Sequence, residues 1–143
     1  MAYSRILVGI DGSEASLRAF DFAARLAHDQ EAVLDVVSVI DLDQLAFIDF
    51  HMFTDSQLDS IQKRARTRVI DDFVSRLPDD MPPPELHILR GPVVKTLVRR
   101  VEDTEPDVVV VGRHGKNVVE RFVEGSVSRK MAQRCAVPVV VVP

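Results

Sequence analysis

The chain has 143 residues, of which 46% are hydrophobic and 28% charged, and carries a formal net charge of −4. A chain of this length buries ~70% of the surface that its unfolded form exposes, so residues 1–143 are expected to fold as one domain around a single covered sheet. The acidic balance argues against a nucleic-acid surface and no apolar stretch is long enough for membrane insertion, while a lone cysteine, Cys135, makes no internal disulfide and points to a reducing cytoplasm.

Arg5 to Ile10 reads as the first strand, too short and too soon broken by Asp11 to be a secretory signal. Phe20, Ala23, Ala24 and Ala27 then recur at helical spacing, which predicts a helix over about 13–28 with Ser13 as its N-cap. Ala32 to Ile40 is strand-like, and Asp41 to Thr54 reads as an irregular connection. Leu58, Ile61, Ala65, Val69 and Phe73 trace the inner face of a long helix that Pro78 is expected to end, and its basic run Lys63-Arg64-Ala65-Arg66-Thr67-Arg68 reads as a solvated face. Pro82-Pro83-Pro84 forces an extended approach to a strand over Glu85 to Arg90. Val94, Leu97, Val98 and Val101 repeat the helical spacing until Pro106, and a fourth strand of valines begins at Asp107. A helix after Gly125, with Cys135 as a buried thiol at its end, and a last strand over Val139-Val140-Val141-Val142 complete the order βαβαβαβαβ. Such alternation implies parallel strands joined by right-handed crossovers, and continuous Val/Ile/Leu runs imply cover on both faces: an open, doubly wound α/β sheet of five strands.

Two segments stand where such sheets place their ligands, at the carboxyl ends of strands. One is Val8-Gly9-Ile10-Asp11-Gly12-Ser13; the other is Gly112-Arg113-His114-Gly115, followed later by Gly125-Ser126-Val127-Ser128. Glycines there let backbone approach a phosphate, and the N–H groups opening the next helix attract an anion. Singly, each glycine serves as well as a turn former, and Ser126 as a helix cap. Asp11 serves as well in an Asx turn at Gly12-Ser13, and Val39 and Val111 as plain core.

Gly112-x-x-Gly115, then nine residues, then Gly125-Ser126, after the strand Asp107-Val108-Val109-Val110-Val111, resembles the ATP-binding signature of the universal stress protein family. The opening Arg5 to Ser13 and the closing Val137-Pro138-Val139-Val140-Val141-Val142 are also similar to that family, and the middle from about Asp43 to Pro84 least so. The resemblance implies the strand order 3-2-1-4-5, which would bring both glycine segments to one crevice at the topological switch point. It implies ATP with Mg2+ as ligand: Gly112, Gly115, Gly125, Ser126, Val127 and Ser128 around the phosphates, Asp11 at the adenine or ribose end, backbone of Val39 at the adenine, and Gly9 and Val111 flanking. Arg113 replaces a residue that is usually small and either pairs with a phosphate or points outward; Val118 replaces a common glycine; Glu124 would repel phosphates unless Mg2+ lies between.

No P-loop, dinucleotide fingerprint, Cys/His metal cluster or nucleophile elbow occurs, and His114 has no partner in either motif, so ATP hydrolysis is expected to be slow or absent. The expected function is that of a cytoplasmic, nucleotide-dependent sensor or regulator read by a protein partner. The alternatives are a nucleotide-free scaffold and an adenine-nucleotide α-hydrolase, which would carry Ser-Gly-Gly-x-Asp-Ser where this chain has Asp11-Gly12-Ser13-Glu14-Ala15-Ser16. In the implied order the last strand exposes a valine edge, which predicts a homodimer through the C-terminal strand.

Overall fold

The computed structural model describes residues 2–41, 53–113 and 127–143. Five strands, β1 (Arg5–Ile10), β2 (Val33–Ile40), β3 (Glu85–Arg90), β4 (Val108–Gly112) and β5 (Val139–Val142), form one all-parallel sheet in the order β3-β2-β1-β4-β5. The helices are α1 (Glu14–Gln30), α2 (Asp55–Asp72), α3 (Val93–Thr104) and α4, described over Val127–Arg134. The α/β class expected from the sequence pattern and the strand order that the family resemblance implies are those observed.

Side-chain alternation divides the core in two. Ile6, Val8, Ile10, Leu34, Val36, Ile88, Val108 and Val110 face α1 and α2, where Phe20 and Phe73 meet edge to face with ring centroids 5.3 Å apart. Leu7, Val37, Val109 and Val111 face α3 and α4 and pack on Leu97, Val101 and Met131. Strands buried on both faces explain why they read as unbroken apolar runs, and each fully buried Leu, Ile or Phe contributes about 1.5–3 kcal/mol.

Ser13 caps α1 by accepting the Ser16 N–H, 3.1 Å away. Thr54 and Gln57 close a capping box at the start of α2. Helix α2 stops at Asp72 rather than running on to Pro78, because Phe73 turns into the core at 2% exposure and a 3-10 turn over Val74–Arg76 follows. At the end of α3 the left-handed residue Glu105 donates its N–H to Val101 O, so the helix ends before Pro106.

The two sheet edges differ. Along β3, Gln62 Nε2 donates to Ile88 O at 2.6 Å and Arg66 Nη1 to Leu86 O at 3.0 Å, so α2 covers that edge. Along β5, the Pro138 and Val142 carbonyls accept from Val109 and Arg113 of the neighbouring strand. That register turns the backbone of Val139 and Val141 outward, and Val141 is 40% exposed. Among the described residues no helix is long and apolar enough to cross a membrane.

Candidate functional site

β1 and β4 are neighbours, pairing in parallel from Ile6↔Val108 to Val8↔Val110, so their carboxyl ends lie side by side. The turn after β1 is held by its own polar groups. Asp11 Oδ1 accepts the Ser13 N–H at 2.9 Å, an Asx turn, and the Asp11 N–H donates to Ser16 Oγ at 3.3 Å. Gly12 sits at φ 83°, a conformation that L side chains resist, which is the local reason for a glycine here. The outcome is an exposed Asp11 beside the first turn of α1, at the carboxyl end of β1.

Gly112 ends β4 pressed against that same turn. A Cβ added there would lie 2.7 Å from Ala15 C and 2.9 Å from both Ala15 O and Ser16 N, so glycine is required by strand–helix packing. Gly9 is different: its Cβ would meet Leu97 and Val111 side chains at an ordinary 3.5 Å. Gly9, Val39 and Val111 share the face under α3, Val111 buried and Val39 half-buried against the second core cluster. Arg113 donates its N–H to Val142 O at 2.7 Å and accepts Ser128 Oγ at 3.1 Å, which fastens the end of β4 to β5 and α4 while its side-chain position is exposed. Ser128 is buried and Val127 packs on the α3-side core. Gly115, Gly125 and Ser126, with His114, Val118 and Glu124, lie outside the described residues. The fold thus brings Gly9, Asp11, Val39, Val111, Gly112 and Arg113 to neighbouring strand ends, with Ser16 and Leu97 as supporting residues that sequence reading did not single out.

A charged cluster gathers at the opposite end of the sheet, around Asp35, which is fully buried within β2. Arg100 of α3 holds Oδ2 through Nε and Nη2, each at 3.1 Å. Arg5 lies 3.9 Å from the same oxygen and pairs with Glu85 at 2.8 Å. His87 Nε2 stands 3.7 Å from Asp35 Oδ1 and 3.9 Å from Glu85 Oε2. Burial pushes the Asp35 carboxyl above its ordinary range, against the opposing pull of Arg100, His87 and Arg5. The signal available in sequence was a single charge inside the apolar run Val33-Leu34-Asp35-Val36-Val37.

The sequence model of the universal stress protein family matches residues 2–143. The chain is 25% identical over 148 aligned positions to universal stress protein YxiE of Bacillus subtilis, covering 98% of this chain and 99% of that one. It is similar to a universal stress protein solved in complex with cAMP, at 25% identity and a TM-score of 0.65, with 100% of this chain and 98% of that chain covered. It also shares its fold with UspA from Lactobacillus plantarum, at 24% identity and a TM-score of 0.74, with 100% and 99% covered. With a matching family model across nearly its whole length and the five-stranded parallel sheet those relatives share, the chain belongs to the universal stress protein family.

Proposed function

We propose that this single-domain protein binds an adenine nucleotide, ATP with Mg2+, at the carboxyl ends of β1 and β4, and acts in the cytoplasm as a nucleotide-dependent regulator that a protein partner reads. The observation that carries the reading is the adjacency of the two glycine segments: Asp11-Gly12-Ser13 and Gly112-Arg113 open from neighbouring parallel strands at the point where the strand order reverses. The groups at that point suit such a ligand. The apolar side chains of Val39 and Val111 fit a base, and the exposed Asp11 fits its ribose. The spacing Gly112-x-x-Gly115 to Gly125-Ser126 supplies the phosphate loop in this reading, and Mg2+ would neutralise phosphate charge against Glu124. The relative solved with cAMP supports an adenine nucleotide as the ligand class. Nothing in the motifs activates a water, so holding the nucleotide is the function and turnover is slow or absent. The open β5 edge supports a homodimer joined strand to strand.

Calorimetry with ATP and with cAMP, each with and without Mg2+, tests this reading. The wild type is expected to bind ATP more tightly when Mg2+ is present, and Gly115→Val to lose ATP while remaining folded, since a β-branched residue blocks close approach to phosphate. A wild type that binds neither nucleotide, or a variant that binds ATP equally well, refutes the phosphate-loop reading.

A further inference from the structure

The charged cluster at the amino-terminal ends of β2 and β3 has no part in the nucleotide reading. Its centre is Asp35, a carboxylate with no exposed surface, whose two oxygens are treated unequally. Oδ2 is gripped by Arg100, whereas Oδ1 has no hydrogen-bond partner among the described residues. A buried oxygen left in that state is costly, and it calls for a ligand. Sheet register supplies the neighbours: Asp35 pairs with Glu85 across β2 and β3, and His87, two residues on, returns to the same face. One ligating atom from each of the three lies within 4.8 Å of the others.

We propose that Asp35 Oδ1, Glu85 Oε2 and His87 Nε2 bind a divalent metal ion of the zinc class. Zinc takes imidazole nitrogen and carboxylate oxygen at about 2.0–2.2 Å, so neighbouring corners of its tetrahedron are about 3.3–3.5 Å apart. The observed 3.7 Å and 3.9 Å spacings from His87 Nε2 are a short step from that geometry. Asp35 is the fixed ligand, while Glu85 and His87 are partly exposed and able to close in, with water as the fourth donor. Arg100 acts as an outer support, holding Oδ2 so that Oδ1 keeps its aim. One imidazole with two single carboxylate oxygens selects against Mg2+ and Ca2+, which require fuller oxygen shells.

Arg5 is the competitor. Its guanidinium occupies Glu85 at 2.8 Å and is exposed enough to swing into water. An ion pair of that kind is weak, so a metal ion displaces it at a modest cost in affinity. This gives the site a signature: removing a positive charge should strengthen zinc binding, and removing the imidazole should abolish it.

The test is calorimetric titration of ZnCl2 into the chelator-treated full chain, with Co2+ absorption reporting the ligand set. One ion per chain is expected for the wild type and no heat with MgCl2. His87→Ala should weaken zinc at least ~100-fold and Glu85→Gln should weaken it too, because each is a direct ligand. Arg5→Gln should tighten binding by up to about fivefold. His87 is partly exposed, and unchanged circular dichroism keeps that variant interpretable. Zinc uptake unaltered in His87→Ala, no saturable uptake below millimolar zinc, or weaker binding in Arg5→Gln overturns the proposal. Titration of ATP into the same variants keeps the outcome separate from that of the nucleotide site.

Discussion

Replacing Gly112 with alanine asks whether this glycine is required by packing. The added Cβ would stand about 0.5–0.7 Å inside ordinary contact with three backbone atoms of Ala15 and Ser16. Backbone in the first turn of a capped helix cannot swing aside as a side chain can, so either α1 or the end of β4 must shift. Overpacking of this kind costs about 1–3 kcal/mol, and contact with backbone puts Gly112→Ala near the upper figure. At roughly 2–4 °C per kcal/mol for a domain of this size, Tm should fall by about 6–12 °C. Gly9→Ala is the matched control. Its Cβ meets only side chains at 3.5 Å, and its φ lies outside the left-handed region. Reduced freedom of the unfolded chain should then leave stability unchanged or raised by up to about 1 kcal/mol. Differential scanning fluorimetry on both variants decides the matter. A Gly112→Ala protein that melts within a degree or two of the wild type, or a Gly9→Ala protein that loses as much, refutes the packing argument.

Val141→Pro removes an outward N–H from β5 without disturbing the carbonyls that Val109 and Arg113 use, so it should convert a strand-to-strand dimer to monomer with little change in Tm; light scattering that finds a persistent dimer, or a wild type already monomeric at micromolar concentration, rejects that interface. His28 Nε2 lies 3.1 Å from Asp80, which raises the imidazole pKa and lowers that of the carboxylate. The His28 contribution is therefore complete below the ordinary imidazole value of about 6.5 and is lost as pH rises through the folded value, while the Asp80 contribution is lost as pH falls below about 4. Asp80→Asn should lower Tm most between about pH 4.5 and 6 and least in mildly alkaline buffer, and a pH-independent difference would remove this pair from the account. Purified protein supplied with Mg-ATP should release phosphate far below the ~10 s⁻¹ typical of enzymes, and a rapid rate abolished in His114→Ala would make that histidine catalytic.

Strand and helix positions were legible because periodicity reports burial directly. The valines at 108–111 lie in a strand buried on both faces, those at 139–142 in an edge strand that is only partly covered, and Phe20, Ala23, Ala24 and Ala27 mark the inner face of α1. Terminators were less legible. Pro78 and Pro106 forbid a helix to continue but do not say where it stops: Phe73 leaves α2 to meet Phe20, and Glu105 leaves α3 in a left-handed turn. Propensity along the chain yields there to contacts between residues far apart in it. Strand order was not written in the residues either, and came from the family resemblance. Its physical counterpart is visible in Gly112, whose missing Cβ lets β4 lie under the first turn of α1.

The candidate site divides in the same way. Asp11, Gly12 and Ser13 make their contacts within a few residues, so a local pattern exposes them. Asp35, Glu85, His87, Arg5 and Arg100 come from four separate elements, and the β1–β2–β3 register together with the packing of α3 makes them one cluster. Between the two ends of the sheet run Leu7, Val8, Val36 and Val37, all fully buried in paired strands. Coupling through such a region needs an element with two arrangements, and a close-packed, fully paired strand core offers one. Zinc at the amino end should therefore leave the affinity for ATP unchanged, and His87→Ala should bind nucleotide as the wild type does. Paired titrations, ATP with and without saturating ZnCl2 and the reverse, measure the coupling from both directions, and the two must agree. A shift beyond about fivefold in both would mean that β1 and β2 move as a lever between the sites, and the picture of a rigid sheet with two independent ends would have to be abandoned.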